Sequence, residues 1–109
     1  MTVKLLALYK KPDDVKEFDE HYFSTHVPLT EKMPGLIKAE YQKITGSPMG
    51  KTDYHLLAEL TFESMEALQA AMSSDEGKAA AKDLMGFAGN LVNLMFAQPV
   101  ETASPVEVC

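Results

Sequence analysis

Twice along this chain a two-residue apolar period gives way to a helical one and then returns. Val3 to Lys10 is short and largely apolar, with Val3, Leu5, Ala7 and Tyr9 on one face and Leu6 and Leu8 on the other, the pattern of a strand covered on both sides. Pro12, Asp13 and Asp14 suit a helix start, because proline lacks only a donor that is orphaned there and carboxylates favour the positive end of the helix dipole. Val15, Phe18 and Tyr22 share one helical face, so a first helix is expected to run to about Ser24. It should end before Pro28, which biases Val27 away from helical torsions. Met33-Pro34-Gly35 supplies a turn, and Leu36 to Thr45 then alternates, with Ile37, Ala39 and Tyr41 on one side and Lys38, Glu40 and Gln42 on the other.

The turn-rich stretch Gly46 to Thr52 leads into Asp53 to Phe62, where Tyr54, Leu56, Ala58, Leu60 and Phe62 share a face, so these two strands are expected to form a hairpin. Ser64 opens a helix carrying Met65, Leu68 and Met72, and Ser73 with Glu76 has the spacing of a capping box for a second helical piece with Ala80, Leu84 and Phe87. Leu91 to Ala97 reads as a fourth strand. Pro99 to Cys109 is polar, contains proline and has no period, so 1–98 is expected to be a single domain and 99–109 a flexible or partner-docked tail.

Strand, helix, strand, repeated, specifies an α+β ferredoxin-like βαββαβ sandwich: a four-stranded antiparallel sheet with helices on one face. At 109 residues and 46% apolar the chain has enough for one modest core. The other sheet face is left uncovered, and it is too apolar for open water, with Leu57 between His55 and Glu59. A second copy presenting the same face would bury it, so a homodimer is expected, with a cavity for a small organic molecule next to the sheet. The net charge of −6 without Lys or Arg clusters argues against nucleic acid and anionic membrane surfaces as partners. No apolar run approaches a membrane span or a secretory signal, and the single cysteine, Cys109, permits no internal disulfide, so the chain reads as cytoplasmic.

Chemistry without a cofactor needs a group that titrates near neutrality and one that polarises or donates. His26 lies just past the expected end of the first helix. Were that helix to continue, His26 would return to the stripe of Val15 and Tyr22 and point inward as a general base; otherwise it caps the helix or bonds a loop carbonyl ahead of Pro28. His55 alternates onto the face of Leu57 and Glu59, with Glu59 about 13 Å along the strand, so the two meet only through a substrate or another strand. The alternative for His55 is a cross-strand surface pair. His21, four residues after Glu17, has the spacing of a helix-surface pair. Tyr22 and Tyr54 fall on apolar faces and read as core, whereas Tyr9 and Tyr41 remain candidates for the site. Glu59 inside an apolar strand either has a raised pKa or pairs with Lys4 or Lys43, the pair being favoured. Tyr9, Leu57 and Glu59 are the expected substrate contacts. The spacing of His21 and His26 is not that of a helical metal pair and no glycine-rich phosphate loop is present, so neither metal nor nucleotide cofactor is expected.

The segment Glu17-Phe18-Asp19-Glu20-His21-Tyr22-Phe23-Ser24-Thr25-His26-Val27-Pro28-Leu29, followed by Met33-Pro34-Gly35-Leu36, resembles the signature of the EthD family, named for ethyl tert-butyl ether degradation. Ala58 to Ser64 with Ala67-Leu68, and Ser74 to Gly77 with its Lys-Asp-Leu continuation, are similar to the family's later blocks, so the resemblance covers roughly Val3 to Ala97. It implies the dimeric α+β barrel fold, whose members include lactone isomerases, polyketide cyclases, anthrone-type dehydratases and haem or quinol monooxygenases. Isomerases and cyclases of this fold use a His base with a Tyr or second His that polarises a carbonyl, and Tyr41 and His55 match those by strand position. Haem enzymes of the fold commonly place a tryptophan over the ring, and this chain has none. Two readings follow: a cofactor-independent isomerase, cyclase or dehydratase with His26 or His55 as base, or a non-catalytic accessory protein that binds a product for an oxygenase system.

Overall fold

A computed structural model describes residues 2–100. Its elements are β1 (Val3–Lys10), α1 (Val15–His21), a π-helical turn (Tyr22–His26), α2 (Val27–Glu31), β2 (Leu36–Lys43), β3 (Tyr54–Phe62), α3 (Met65–Ser73), α4 (Asp75–Ala88) and β4 (Val92–Ala97). The strands form one antiparallel sheet in the order β2-β3-β1-β4, the ferredoxin-like arrangement that the alternating periods specify. Of the expected tail, the residues from 101 onward lie outside those described. No helix among the described residues is long and apolar enough to cross a membrane.

Side-chain oxygens start the helices. The Asp14 carboxylate accepts the Glu17 N–H at 3.0 Å, the Ser64 hydroxyl that of Ala67 at 3.1 Å, and the Ser74 hydroxyl that of Gly77 at 3.0 Å, so α4 is capped by Ser74 rather than by Ser73. The core lies between sheet and helices in two clusters. Ala7, Tyr9, Leu56 and Ala58 meet Phe18, Tyr22, Leu84 and Ala88, while Val3, Leu5, Leu60 and Phe62 meet Met33, Leu68 and Ala71.

Three local departures from the expected pattern have physical causes. The first helix does not stop before Pro28: Val27 has helical torsions (φ −58, ψ −47) and its N–H reaches back five residues to the Tyr22 carbonyl. A proline inside a regular α-helix clashes with the carbonyl four residues back, here Ser24, and the wide π turn opens the spiral where that carbonyl sits. Val15 is therefore half exposed, and the buried stripe is Phe18, Tyr22, His26 and Thr30. In β3, Tyr9 pairs with Leu56 and Lys10 with Tyr54, which leaves His55 as the extra residue of a β-bulge. In β2, Leu36 pairs with Phe62 and Lys38 with Thr61, so Ile37 is bulged out and 59% exposed instead of sharing a face with Ala39 and Tyr41.

Where α3 turns into α4 the two backbones nearly touch. A Cβ on Gly77 would sit 2.1 Å from the Ala71 carbonyl oxygen and 2.9 Å from Met72 Cα, and neither atom can swing away as a side chain would. Gly77→Ala is expected to destabilise the fold by about 2 kcal/mol or more in urea unfolding; an unchanged midpoint would refute so close a contact.

Candidate functional site

Between the sheet and the helical arm lies a cavity of about 90 Å3. Its wall is mainly aliphatic, from Leu5, Ala7, Leu60, Leu84 and Leu94, and its polar groups are Tyr9 from β1, Tyr22 and His26 from the π turn, Thr30 from α2 and Tyr41 from β2. Phe18, Tyr22, His26 and Thr30 follow one another at intervals of four. On a regular α-helix, twelve residues at 100° each overshoot three turns by about 120°, which would carry Thr30 a third of the way round. The π turn absorbs that drift, and all four side chains are buried on one side.

His26 is 6% exposed, and its Nδ1 lies 3.0 Å from Asp83 Oδ2 on α4. A carboxylate only accepts, so the neutral ring donates from Nδ1 and carries its lone pair on Nε2, which has no hydrogen-bond partner among the described residues, in a side chain that lines the cavity. Burial lowers the His26 pKa below the usual histidine value, and it outweighs the opposing pull of Asp83. The imidazole is thus a free base at neutral pH.

Tyr41 also faces the cavity, and among the described residues its hydroxyl is the buried side-chain polar atom with no hydrogen-bond partner. Burial, with a contribution from Glu31, pushes its pKa up to about 12, so it is a donor at neutral pH. Tyr9 is likewise raised to about 12, first by burial, and its hydroxyl accepts a hydrogen bond from Tyr22, whose own pKa burial also raises. The Tyr22 ring anchors the group, with centroids 5.2 Å from Tyr9, 5.4 Å from His26 and 6.0 Å from Tyr41.

The remaining sequence candidates lie elsewhere. His55 does not share a face with Leu57 and Glu59, because the bulge turns it under α1, where Nε2 is 2.7 Å from Asp19 Oδ1 and the ring stands edge-on to Phe18 at 5.6 Å. It lines no part of the cavity. Leu57 and Glu59 pair with Leu8 and Leu6 on the opposite face of the sheet, and Lys4 Nζ donates to Glu59 Oε1 at 3.1 Å. His21 is not a free surface residue, since its Nε2 is 2.9 Å from Asp83 Oδ1. Asp83 itself was legible: Ala80, Asp83, Leu84 and Phe87 are three, four and seven apart, so a carboxylate stands inside the apolar stripe of α4. Tyr22 was legible as a member of the helical apolar face, whereas Thr30 carried no comparable signal, because its place depends on the π turn. Among the described residues no group of three or more His, Cys, Asp or Glu side chains is arranged to hold a metal ion.

Residues 10–90 match the EthD domain. The chain is 34% identical over 102 residues, 94% of its length and 98% of the relative's, to an uncharacterized 11.0 kDa protein from the thcB-thcC intergenic region of Rhodococcus erythropolis. The crystal structure of an EthD family protein from Bacillus halodurans C-125 is 51% identical, covers 92% of this chain and 100% of its own, and superposes with a TM-score of 0.90. A hydroxynitrile lyase from Passiflora edulis, 13% identical over 94% of this chain and 97% of its own with a TM-score of 0.75, shares the fold. The architecture is α+β and ferredoxin-like, and the chain belongs to the EthD family.

Proposed function

We propose that this EthD-family chain is a cofactor-independent acid–base catalyst for a small carbonyl-bearing or aromatic molecule held in the cavity. One observation carries the reading: a buried imidazole with one nitrogen fixed by Asp83 shares an apolar cavity with the unpartnered phenol of Tyr41. His26 Nε2 removes a proton from carbon beside the carbonyl, and the negative charge that develops on the carbonyl oxygen meets the Tyr41 hydroxyl. Asp83 stabilises the imidazolium formed at His26. Return of the proton to another atom isomerises the substrate, and loss of a leaving group eliminates it. The aliphatic wall keeps water away and strengthens both interactions. A lyase in Passiflora edulis uses the same fold, which is compatible with such chemistry here.

We also propose that the chain works as a homodimer. The sheet face away from the helices carries Leu6, Leu8, Leu57 and Met95 among Lys4, Glu40 and Glu59, and a second copy presenting that face would bury the leucines while leaving the charges at the rim.

Deuterium uptake at the α-carbon of 2-indanone in D2O, followed by proton NMR, tests the catalytic reading. The protein is expected to accelerate uptake, and His26→Gln to lower the rate on the order of 10²-fold with an unchanged melting temperature. Because the neutral ring is the base, the rate should rise with pH through the His26 titration, below about 6.5, and be level at neutrality. Binding of 2-indanone without any acceleration, equal in His26→Gln, would assign the cavity to a carrier instead.

Tyr41→Phe separates function from stability. It removes a buried hydroxyl that bonds nothing, so the variant should be more stable by about 1 kcal/mol while its exchange rate falls on the order of 10²-fold. A lower melting temperature would mean that the hydroxyl has a structural partner. Light scattering should return twice the 12.0 kDa chain mass at micromolar concentration, and Leu8→Asp should halve it; a wild-type mass of one chain at all concentrations would refute the dimer.

A further inference from the structure

Asp83 joins two histidines that face different surroundings. Its Oδ2 lies 3.0 Å from His26 Nδ1 and its Oδ1 lies 2.9 Å from His21 Nε2. The His26 side chain is 8% exposed and that of His21 37% exposed, with the carboxylate between them at 18%. Phe87 packs on both rings, with centroids 4.4 Å from His21 and 5.4 Å from His26. One carboxylate is thus clamped between an imidazole that meets the cavity and an imidazole that meets solvent.

We propose that His21 governs the proton affinity of His26 through their shared carboxylate, and is a positioning residue of the cavity. The geometry stands by itself; its meaning for catalysis rests on the proposed function above. Since a carboxylate only accepts, both rings must present N–H to it, Nε2–H from His21 and Nδ1–H from His26. His21 thereby holds one carboxylate oxygen, aims the other at His26 and leaves His26 Nε2 bare. With His21 neutral, the full charge of Asp83 favours a cation at His26. With His21 charged, that carboxylate is already neutralised from the other side, and the two cations repel, so His26 stays unprotonated.

The other groups facing His26 are Tyr22 from its own helical arm, Tyr9 from β1, Tyr41 from β2 and Phe87 from α4. Burial keeps the phenols neutral where imidazoles titrate, so none of them supplies a charge there. Asp13, Asp14, Glu17 and Lys82 border the grooves outside His21 and are exposed, where solvent screens them. Asp83 and His21 are therefore the charges that bear on His26. A cation at His21 thus counts against a second cation at His26, and the base in the cavity stays free.

The test is an NMR titration of the histidine ring C–H resonances in the full chain, which needs no substrate. In the wild type the His26 resonances should respond in two steps, one of them coinciding with the protonation of His21 read from its own resonances. His21→Gln keeps an N–H for Asp83 but carries no charge, so His26 should titrate in a single step, higher by about half a unit to one unit. Asp83→Asn should move the His26 titration down and abolish its response to His21. A natively folded His21→Gln with an unchanged His26 midpoint would overturn the proposal, and so would a wild-type His26 curve with no inflection where His21 titrates. The wild-type curve decides the matter even where a substitution prevents folding. A negative result here leaves the 2-indanone experiment unaffected, and a null result there leaves this titration readable.

Discussion

The cavity depends on one widened turn of helix. Tyr22–His26 departs from the regular spiral by a single backbone register, with Val27 N–H bonded to the Tyr22 carbonyl five residues back. Without that departure a side chain at every fourth position would drift by about 40° each time, leaving Thr30 about 80° from Tyr22 and about 120° from Phe18. Pro28 sits just where the departure ends, at the first turn of α2, where it removes no bond that the helix needs. The wide turn therefore does two things at once. It lets the chain pass a proline without breaking, and it keeps Thr30 on the same side as Tyr22 and His26, facing the space above the sheet. π turns are rarely tolerated except where such a side-chain placement is required, because their packing and hydrogen bonding are poorer than those of the α-helix.

Two histidine–aspartate pairs in this chain show how little the pair itself says about its role. His55 and Asp19 are 2.7 Å apart, and the ring lies under α1 against Phe18, so the bond ties the bulged end of β3 to the helix above it. His26 and Asp83 are 3.0 Å apart, and the ring has its other nitrogen in a cavity. The bond chemistry is the same. The difference lies in what the second nitrogen meets. The cavity wall itself holds no charged side chain, and the nearest carboxylates, Asp83 and Glu31, stand behind His26 and Tyr41. For the proposed guest, such a wall would favour an uncharged molecule with an oxygen to accept from Tyr41.

The sheet was legible in the sequence because its signal is an average over many residues. Val3, Leu5, Ala7 and Tyr9 could belong to only one face, and Leu56, Ala58, Leu60 and Phe62 to its partner, and each of these is buried on the helix side. The candidate site was legible only in part, because it is built at irregularities that a period cannot contain. One extra residue in β3 moves His55 to the other face, one in β2 moves Ile37 outward, and a helix that continues through a widened turn brings in His26 and Thr30 together. Of the residues first singled out, Tyr9, His26 and Tyr41 meet at the cavity, and His55, Leu57 and Glu59 do not. Pre-proline bias at Val27 is a local preference of the backbone, and burial of four side chains in a row outweighs it.

Strand parity divides the molecule into two surfaces that share a backbone and little else. Along β1, Ala7 and Tyr9 look into the cavity, while Leu6 and Leu8 look out of the free face beside Glu59 and Leu57. On the proposed reading, chemistry and assembly fall to alternate residues of the same strands, so a change at Leu57 or Glu59 acts on the outer face and reaches the cavity only through the sheet. The converse holds for Tyr41, whose neighbours Glu40 and Gln42 belong to the outer face. A two-residue period is usually read as a statement about burial. In this fold it also says which residues can touch a guest molecule and which can touch another chain, and the bulge at His55 is the point on β3 where that division is broken.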